Sequence, residues 1–294
     1  MTTVAQALTV AQALRAAAAR LAATSDTARL DAELLMADAL GVSRSELLLR
    51  RTGDPVPASF VSLLARRAGH EPVASILGRQ EFRGLEFIVN ADVLIPRGDS
   101  EVVVEAALAA CPAPARVLDC GTGSGALLLA VLAETHAQGI GIDRSLGALA
   151  VAAANATRLG LSARARMLHR DWTAPGWAAD LGRFDLILAN PPYVESGAVL
   201  DPSVRAHEPA GALFAGADGL DAYRVLIPQL PALLTRGEPA SSASAVIEIG
   251  RGQADAVTSL ADAAGFSATL HRDLANRPRA LVLQKTLGNP PRAR

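Results

Sequence analysis

Apolar residues recur at helical spacing from about residue 4 to residue 72 of the chain. Val4, Leu8, Ala11 and Leu14 fall on one face, while Leu30, Leu34, Leu35 and Leu40 mark a second that ends at Gly41, a residue type that closes helices. Ser43 stands where an N-cap belongs, Pro55 and Pro57 interrupt the chain, and helical text resumes at "ASFVSLLARRAGHEP". The spacing predicts a small all-α domain over 1–72. The pattern then changes. In "VASILGRQEFRGLEFIVNADVLIP", Phe82, Leu85, Phe87 and Val89 sit among the turn formers Gly84 and Asn90, which predicts a β-hairpin linker over 73–97.

From Arg116 onward strand and helix patterns alternate: "RVLDC", a helix from Gly123, "GIGID", a helix from Leu146, "ARMLHRD", then "FDLILA". Such alternation calls for a mostly parallel sheet covered on both faces, an α/β fold. A long connection from Val194 to Gly219 leads to a helix at "LDAYRVLIPQLPALL", the strand "SAVIEIG" and a helix at "QADAVTSLADAAG". The last two strands, "FSATLH" and "RALVLQK", lie close enough together to predict an antiparallel edge. This α/β domain is placed at 98–287, and the Pro/Gly/Arg-rich tail at 288–294 is expected to fray.

Half of the 294 residues are apolar, enough for one large domain and a small one. Charge is nearly balanced, 28 basic against 29 acidic residues with Lys285 the only lysine, which argues against a general polyanion binder. Cys111 and Cys120 are too few for a disulfide framework and fit a reducing cytoplasm. The five histidines are scattered, so no metal site is expected. The opening stretch carries Arg15 and Arg20 and no acid before Asp26, as transit peptides do, yet its helical pattern runs straight on into "ARLDAELLMADALGV". No apolar run approaches the ~20 residues that span a bilayer, and no heptad seam marks a dimer, so a cytoplasmic monomer is expected.

Candidate chemistry begins at "VLDCGTGSGALLLAV": an apolar strand, a loop of Gly121, Thr122, Gly123, Ser124 and Gly125, then a helix. Glycines let the chain turn sharply and let a ligand approach backbone that carries no Cβ, although a tight structural turn uses them too. The loop has neither the Gly-Lys-Ser/Thr of a P-loop nor the spacing of the dinucleotide fingerprint, which moves the expectation away from phosphates. One strand later, "GIGIDRS" puts Asp143 where an acid accepts hydrogen bonds from both ribose hydroxyls, an N-cap being its other reading. The third strand ends in "HRDWT", with Asp171 as an acceptor and Trp172 as an apolar plate or a core aromatic. Three such strand ends describe a nucleoside ligand on the carboxyl edge of the sheet, and without phosphate features S-adenosylmethionine fits better than NAD.

The segment "FDLILANPPYVE" ends a buried strand in Asn190, Pro191, Pro192 and Tyr193. Proline has no N–H and a fixed φ, so the pair stiffens the turn and removes competing donors. The Asn190 side-chain oxygen and the Pro191 carbonyl can then converge on the two hydrogens of a planar NH2 group, with Tyr193 against its flat face. Such a nitrogen shares its lone pair with the neighbouring π system and is a poor nucleophile. Two fixed acceptors orient it and stabilise the positive charge that develops as a methyl group arrives. Glutamine side chains, adenine N6 and cytosine N4 all present that group.

With these motifs in place, the chain resembles the bacterial release-factor glutamine methyltransferases. The likeness runs through "TVAQALRAAAARLAATSDTARLDAELL", "EPVASILGRQEFRGLEFIVNADVLIPR", "LDCGTGSGA", "ANPPYV", "EPAGALFAGADGLDAYRVLI", "IEIGRGQ" and "RPRALVLQ". The resemblance implies a class I methyltransferase fold, a Rossmann-like seven-stranded mostly parallel sheet behind a small helical domain and a hairpin linker. It also implies S-adenosylmethionine held by residues 121–125, Asp143, Trp172 and Asn190, with Asp171 at the rim. The substrate would be the glutamine of the Gly-Gly-Gln tip of class 1 peptide chain release factors, methylated on N5 and gripped by Asn190, Pro191, Pro192 and Tyr193. The helical domain would dock the release factor.

Some positions depart from the family pattern. Gly98, Asp99, Ser100 and Glu101 stand where Pro-Glu-Thr-Glu is usual, Cys120 where glycine is frequent, and Asn276 where glycine usually precedes Arg277. Asparagine tolerates left-handed backbone better than most residues. The rival readings are an adenine-N6 methyltransferase acting on a flipped base, a methyltransferase of another protein's glutamine, and binding without turnover. Balanced charge and the lack of a large readout domain speak against nucleic acid.

Overall fold

A computed structural model describes residues 8–235 and 243–286, which fall into two compact units. Of the described residues, one unit gathers 8–79 together with 200–207, and the other holds 80–199, 208–235 and 243–286.

The first unit is built from α1 (Val10–Leu21), α2 (Ala28–Leu40), α3 (Arg44–Arg50), α4 (Ser59–Ala68) and α5 (Val73–Leu77). Thr9 caps α1 in a capping box with Gln12, so the helix starts later than its apolar spacing predicts and Leu8 lies outside it, exposed. Val4 falls outside the described residues. The buried face is Val10, Ala13, Leu14, Ala17 and Leu21, packed on Leu35 and Met36 of α2, Leu47 and Phe60. Leu30 is exposed rather than part of that face, because the stripe of α2 runs through Ala32, Leu35 and Met36. Each fully buried Leu, Met or Phe contributes about 1.5–3 kcal/mol. Gly41 closes α2 at φ +67° and the Ser43 side chain accepts the Glu46 N–H at 3.1 Å, both at their predicted places.

The second unit opens with a hairpin, β1 (Arg79–Phe82) and β2 (Leu85–Ile88), joined by Arg83 at φ +50° and Gly84 at φ +72°. Two central residues of positive φ make the type I′ turn that matches strand twist. Phe82 and Phe87 meet edge to face at 6.2 Å inside the core of this unit. The stretch predicted as one linker over 73–97 is therefore divided: α5 packs with the helices, and the hairpin folds as part of the second unit.

A 3-10 turn, Gly98–Ser100, leads into α6 (Glu101–Ala110), β3 (Arg116–Cys120), α7 (Ala126–Glu134), β4 (Gln138–Asp143), α8 (Leu146–Arg158), β5 (Ala165–His169) and β6 (Leu186–Ala189). The chain next gives α9 (Pro202–His207) to the first unit, then forms α10 (Asp221–Leu226), α11 (Leu230–Leu233), β7 (Ser244–Glu248), α12 (Ala254–Ala263), β8 (Phe266–Arg272) and β9 (Pro278–Lys285). The single helix predicted at "LDAYRVLIPQLPALL" is broken because Pro228 and Pro231 lack the N–H that a continuous helix needs.

The seven strands lie in the order β5-β4-β3-β6-β7-β9-β8, the first five parallel and β9 antiparallel to both its neighbours. Alternate residues feed the two faces: Val117, Leu186 and Val246 join one core cluster, Leu118, Ile187 and Ile247 the other. Strand order reverses between β3 and β6, and a crevice opens beyond their carboxyl ends at such a switch point. Among the described residues no helix is long and apolar enough to cross a membrane. The tail predicted at 288–294 lies outside them.

Candidate active site

A cavity of about 410 Å³ opens where the sheet order reverses. It is lined by Gly121, Thr122, Gly123 and Ser124 after β3, Asp143 at the end of β4, Asp171 and Trp172 after β5, and Asn190 and Pro192 after β6. Residues from four strand ends thus face one space of the size that small-molecule sites have. Gly125, Pro191 and Tyr193 are not among its lining residues. Gly125 starts α7 at φ +83°, where a Cβ would lie 3.0 Å from Leu129 Cδ1. Pro191 is buried, and the Tyr193 hydroxyl faces Glu248.

The backbone donors of Gly121, Thr122, Gly123 and Gly125 are spent on the protein itself. The N–H groups of Gly121 and Thr122 both reach the Ile142 carbonyl at 2.9 Å, that of Gly123 reaches Asp143 Oδ2 at 3.0 Å, and that of Gly125 reaches the Thr122 carbonyl at 2.7 Å. A phosphate cradle needs such donors free and aimed at the ligand. This loop instead presents bare backbone, which suits a ligand without phosphates.

Asp143 also accepts the Ser145 N–H on Oδ1 at 2.8 Å. The capping of α8 falls to Ser145, whose hydroxyl accepts the Ala148 N–H at 3.2 Å. That leaves Asp143 fixed at the cavity wall, each carboxylate oxygen still able to accept a further bond. Asp171 binds Thr173 twice through Oδ1, at 2.8 and 2.7 Å, and the Thr173 backbone donor, helped by its hydroxyl, holds its carboxyl below the usual range. Trp172 is anchored by its carbonyl, which accepts from Gln229 Nε2 at 3.1 Å. Among the described residues no hydrogen bond occupies the half-buried side chain of Asn190.

Sequence reasoning missed several groups here. Asp119 lines the cavity although it is 1% exposed, and burial pushes its carboxyl up to about 7. Thr122 donates to its Oδ2 at 2.7 Å while its Oδ1 is buried without a partner. An acid at an inward position of "RVLDC" was the available signal, since a buried carboxylate demands a donor. Arg97 also lines the cavity and pairs with Glu208, which is buried in the long connection and whose Oε2 has no partner among the described residues. In the divergent turn after it, a Cβ on Gly98 would meet nothing within 4 Å, and Asp99 accepts from Arg277 at 2.9 Å and Arg279 at 2.7 Å. Asn276 does adopt left-handed backbone, at φ +61°.

The arrangement fits a nucleoside-bearing cofactor with a cationic group. Gly121 packs too closely on Trp172 to carry a Cβ and leaves bare backbone at the cavity wall, Asp143 supplies acceptors, and Asp119 Oδ1 has no donor among the described residues.

Residues 12–78 match the family model described as PrmC N-terminal domain, and residues 113–217 match one described as a methyltransferase domain. A protein of Rhodospirillum rubrum named release factor glutamine methyltransferase is 42% identical over 270 residues, covering 89% of this chain and 80% of that one. One of the same name from Caulobacter vibrioides is 44% identical over 248 residues, 82% of this chain and 83% of its own. A crystal structure of a methyltransferase from Pyrococcus furiosus shares the fold with a TM-score of 0.50 at 15% identity, covering 77% of this chain and 99% of that one.

Proposed function

The chain belongs to the release factor glutamine methyltransferase family, and we propose that it moves a methyl group from S-adenosylmethionine to N5 of the tip glutamine of class 1 peptide chain release factors. The observation that carries this reading is the position of Asn190: it directly follows β6, lines the cavity shared with Asp143 and the glycine loop, and has a side chain that makes no hydrogen bond among the described residues.

S-adenosylmethionine supplies an electrophilic methyl on a sulfonium. Residues 121–124, Asp143 and Trp172 would hold its nucleoside portion, and Asp119 would accept from its ammonium group, a donor that matches the unpartnered Oδ1. Asn190 would accept one amide hydrogen of the substrate glutamine, with the Pro191 carbonyl as the second acceptor. Held this way, the nitrogen is oriented and its developing positive charge is stabilised. Losing planarity costs the amide its resonance, and the two acceptors offset that cost in the transition state. An N-alkylated amide then releases its proton without a strong base. Docking of the release factor is assigned to the helical unit, whose span coincides with the N-terminal family model.

Mass spectrometry of intact protein and peptides tests the reading, after mixing the chain, S-adenosylmethionine and a class 1 release factor. One added methyl on the tip glutamine, absent from a Gln→Ala tip variant, is the expected result. Methyl appearing on adenine-containing oligonucleotides and not on the release factor would overturn it.

A further inference from the structure

Tyr193 sits in a seat that holds it from several sides, and Glu248 closes that seat. Gln253 Nε2 donates to the Tyr193 carbonyl at 3.0 Å and to the Gly219 carbonyl at 3.2 Å. A Cβ on Gly219 would lie 2.3 Å from the Tyr193 carbonyl oxygen, and one on Gly250 would lie 2.9 Å from ring atom Cδ2. Only glycine fits at either place, so the backbone and ring are confined. The hydroxyl has one partner among the described residues, Glu248 Oε1 at 3.4 Å. That exceeds the ~2.7–2.8 Å of a well-formed O–H···O bond, and catalytic contacts of this kind often tighten only when substrate is bound.

Glu248 itself is out of place by ordinary rules. It ends β7, is 2% exposed, and its Oε2 has no partner among the described residues. Tyr193 is its hydrogen-bond donor, Ser100 and Arg279 of β9 favour its charged form and Asp99 repels it, while the buried Tyr223 of α10 donates to its carbonyl oxygen at 3.0 Å. Burial, more than any of these, pushes its carboxyl up to about 7. A carboxyl of this kind is costly for stability alone, since an apolar residue in its place would need no partner.

Resting on the function proposed above, we infer that Glu248 is a positioning residue for methyl transfer, holding the Tyr193 ring against the substrate amide through the phenol hydroxyl. It touches neither substrate nor cofactor in this role. Its effect falls on turnover, because a ring fixed in place orients the amide for attack and does little for cofactor binding.

The chain has two tyrosines, Tyr193 and Tyr223, so 3-fluorotyrosine labelling gives two fluorine resonances, assigned with Tyr193→Phe. In the wild type the Tyr193 resonance is expected to shift with pH near neutrality, and Glu248→Gln is expected to abolish that shift. In methylation assays Tyr193→Phe and Glu248→Leu each lower kcat roughly tenfold, the scale of one lost hydrogen bond, and the double variant is no worse than either. Glu248→Gln restores most of kcat, and calorimetric affinity for S-adenosylmethionine is unchanged throughout. A Tyr193 resonance indifferent to Glu248→Gln, or losses that multiply in the double variant, would overturn the assignment. Should Glu248→Leu fail to fold, the Gln variant and the fluorine titration still decide it. A wild type that methylates no release factor would sink the proposed function alone, since the fluorine titration reads the Glu248–Tyr193 pair without any substrate.

Discussion

Gly121 and Trp172 touch across the cavity wall: a Cβ built on the glycine would lie 2.9 Å from the indole Cη2. The glycine also sits at φ +75°, which side chains resist, so Gly121→Ala carries two independent penalties. The indole, which lines the cavity, must move. Calorimetry should show affinity for S-adenosylmethionine weakened at least ~10-fold, the scale of 1–3 kcal/mol of backbone strain. Unaltered affinity would mean that the ligand does not lie along this wall.

Asn190→Ala separates binding from chemistry. Asn190 lines the cavity from the end of β6, while the groups assigned to the nucleoside come from the ends of β3, β4 and β5. Cofactor affinity should therefore change little, and transfer to the release factor should fall at least ~100-fold, as when an oriented hydrogen-bonding group is removed from a transition state. A single-turnover assay reads this directly. Turnover equal to the wild type would remove Asn190 from the mechanism.

Much of this site was legible because strand ends announce themselves. An apolar run that stops at glycine, acid or Asn-Pro-Pro marks both the end of a strand and a group left at its rim, as at Cys120, Asp143 and Ala189. What stayed hidden depends on contacts distant in sequence. Asp119 and Glu248 each occupy strand positions whose neighbours come from other strands and loops, and nothing local says whether such an acid faces water or a cavity. The hairpin was visible as a hairpin, yet its membership of the second unit rests on Phe82 and Phe87 meeting a core built by residues further along. Leu8 and Leu30 were misplaced because periodicity gives a face to any apolar residue in register, whereas the Thr9 cap decides where the helix begins.

Asn155 lies inside the helix predicted from Leu146, and its contacts reach beyond that helix. Fully buried on α8, it accepts the Ile88 N–H at 2.7 Å and donates to the Ile88 carbonyl at 3.0 Å and the Ser124 carbonyl at 2.9 Å. One side chain thus ties the hairpin to the glycine loop. Asn155→Ala should cost roughly 2–4 kcal/mol in urea unfolding, since it strands several groups away from water. Hydrogen exchange at 85–88 should rise in parallel. A variant as stable as the wild type would show that water replaces the amide there.

Asp119 makes a prediction about pH whose sign is opposite to that of most carboxylates. Burial raises its folded value from 3.8 to about 7, so the folded state holds a proton that the unfolded chain releases. Its contribution to stability is complete below the unfolded value and is lost as pH rises through about 7. Glu33 runs the other way: burial works against it, but bonds from Arg29 and Arg44 hold it below its usual range, and its contribution is lost in acid. In Asp119→Asn the proton is no longer at stake while the partner Thr122 keeps an acceptor. Urea midpoints measured from pH 5 to pH 8 should therefore decline less in this variant than in the wild type. Equal declines would show that Asp119 is ionised throughout.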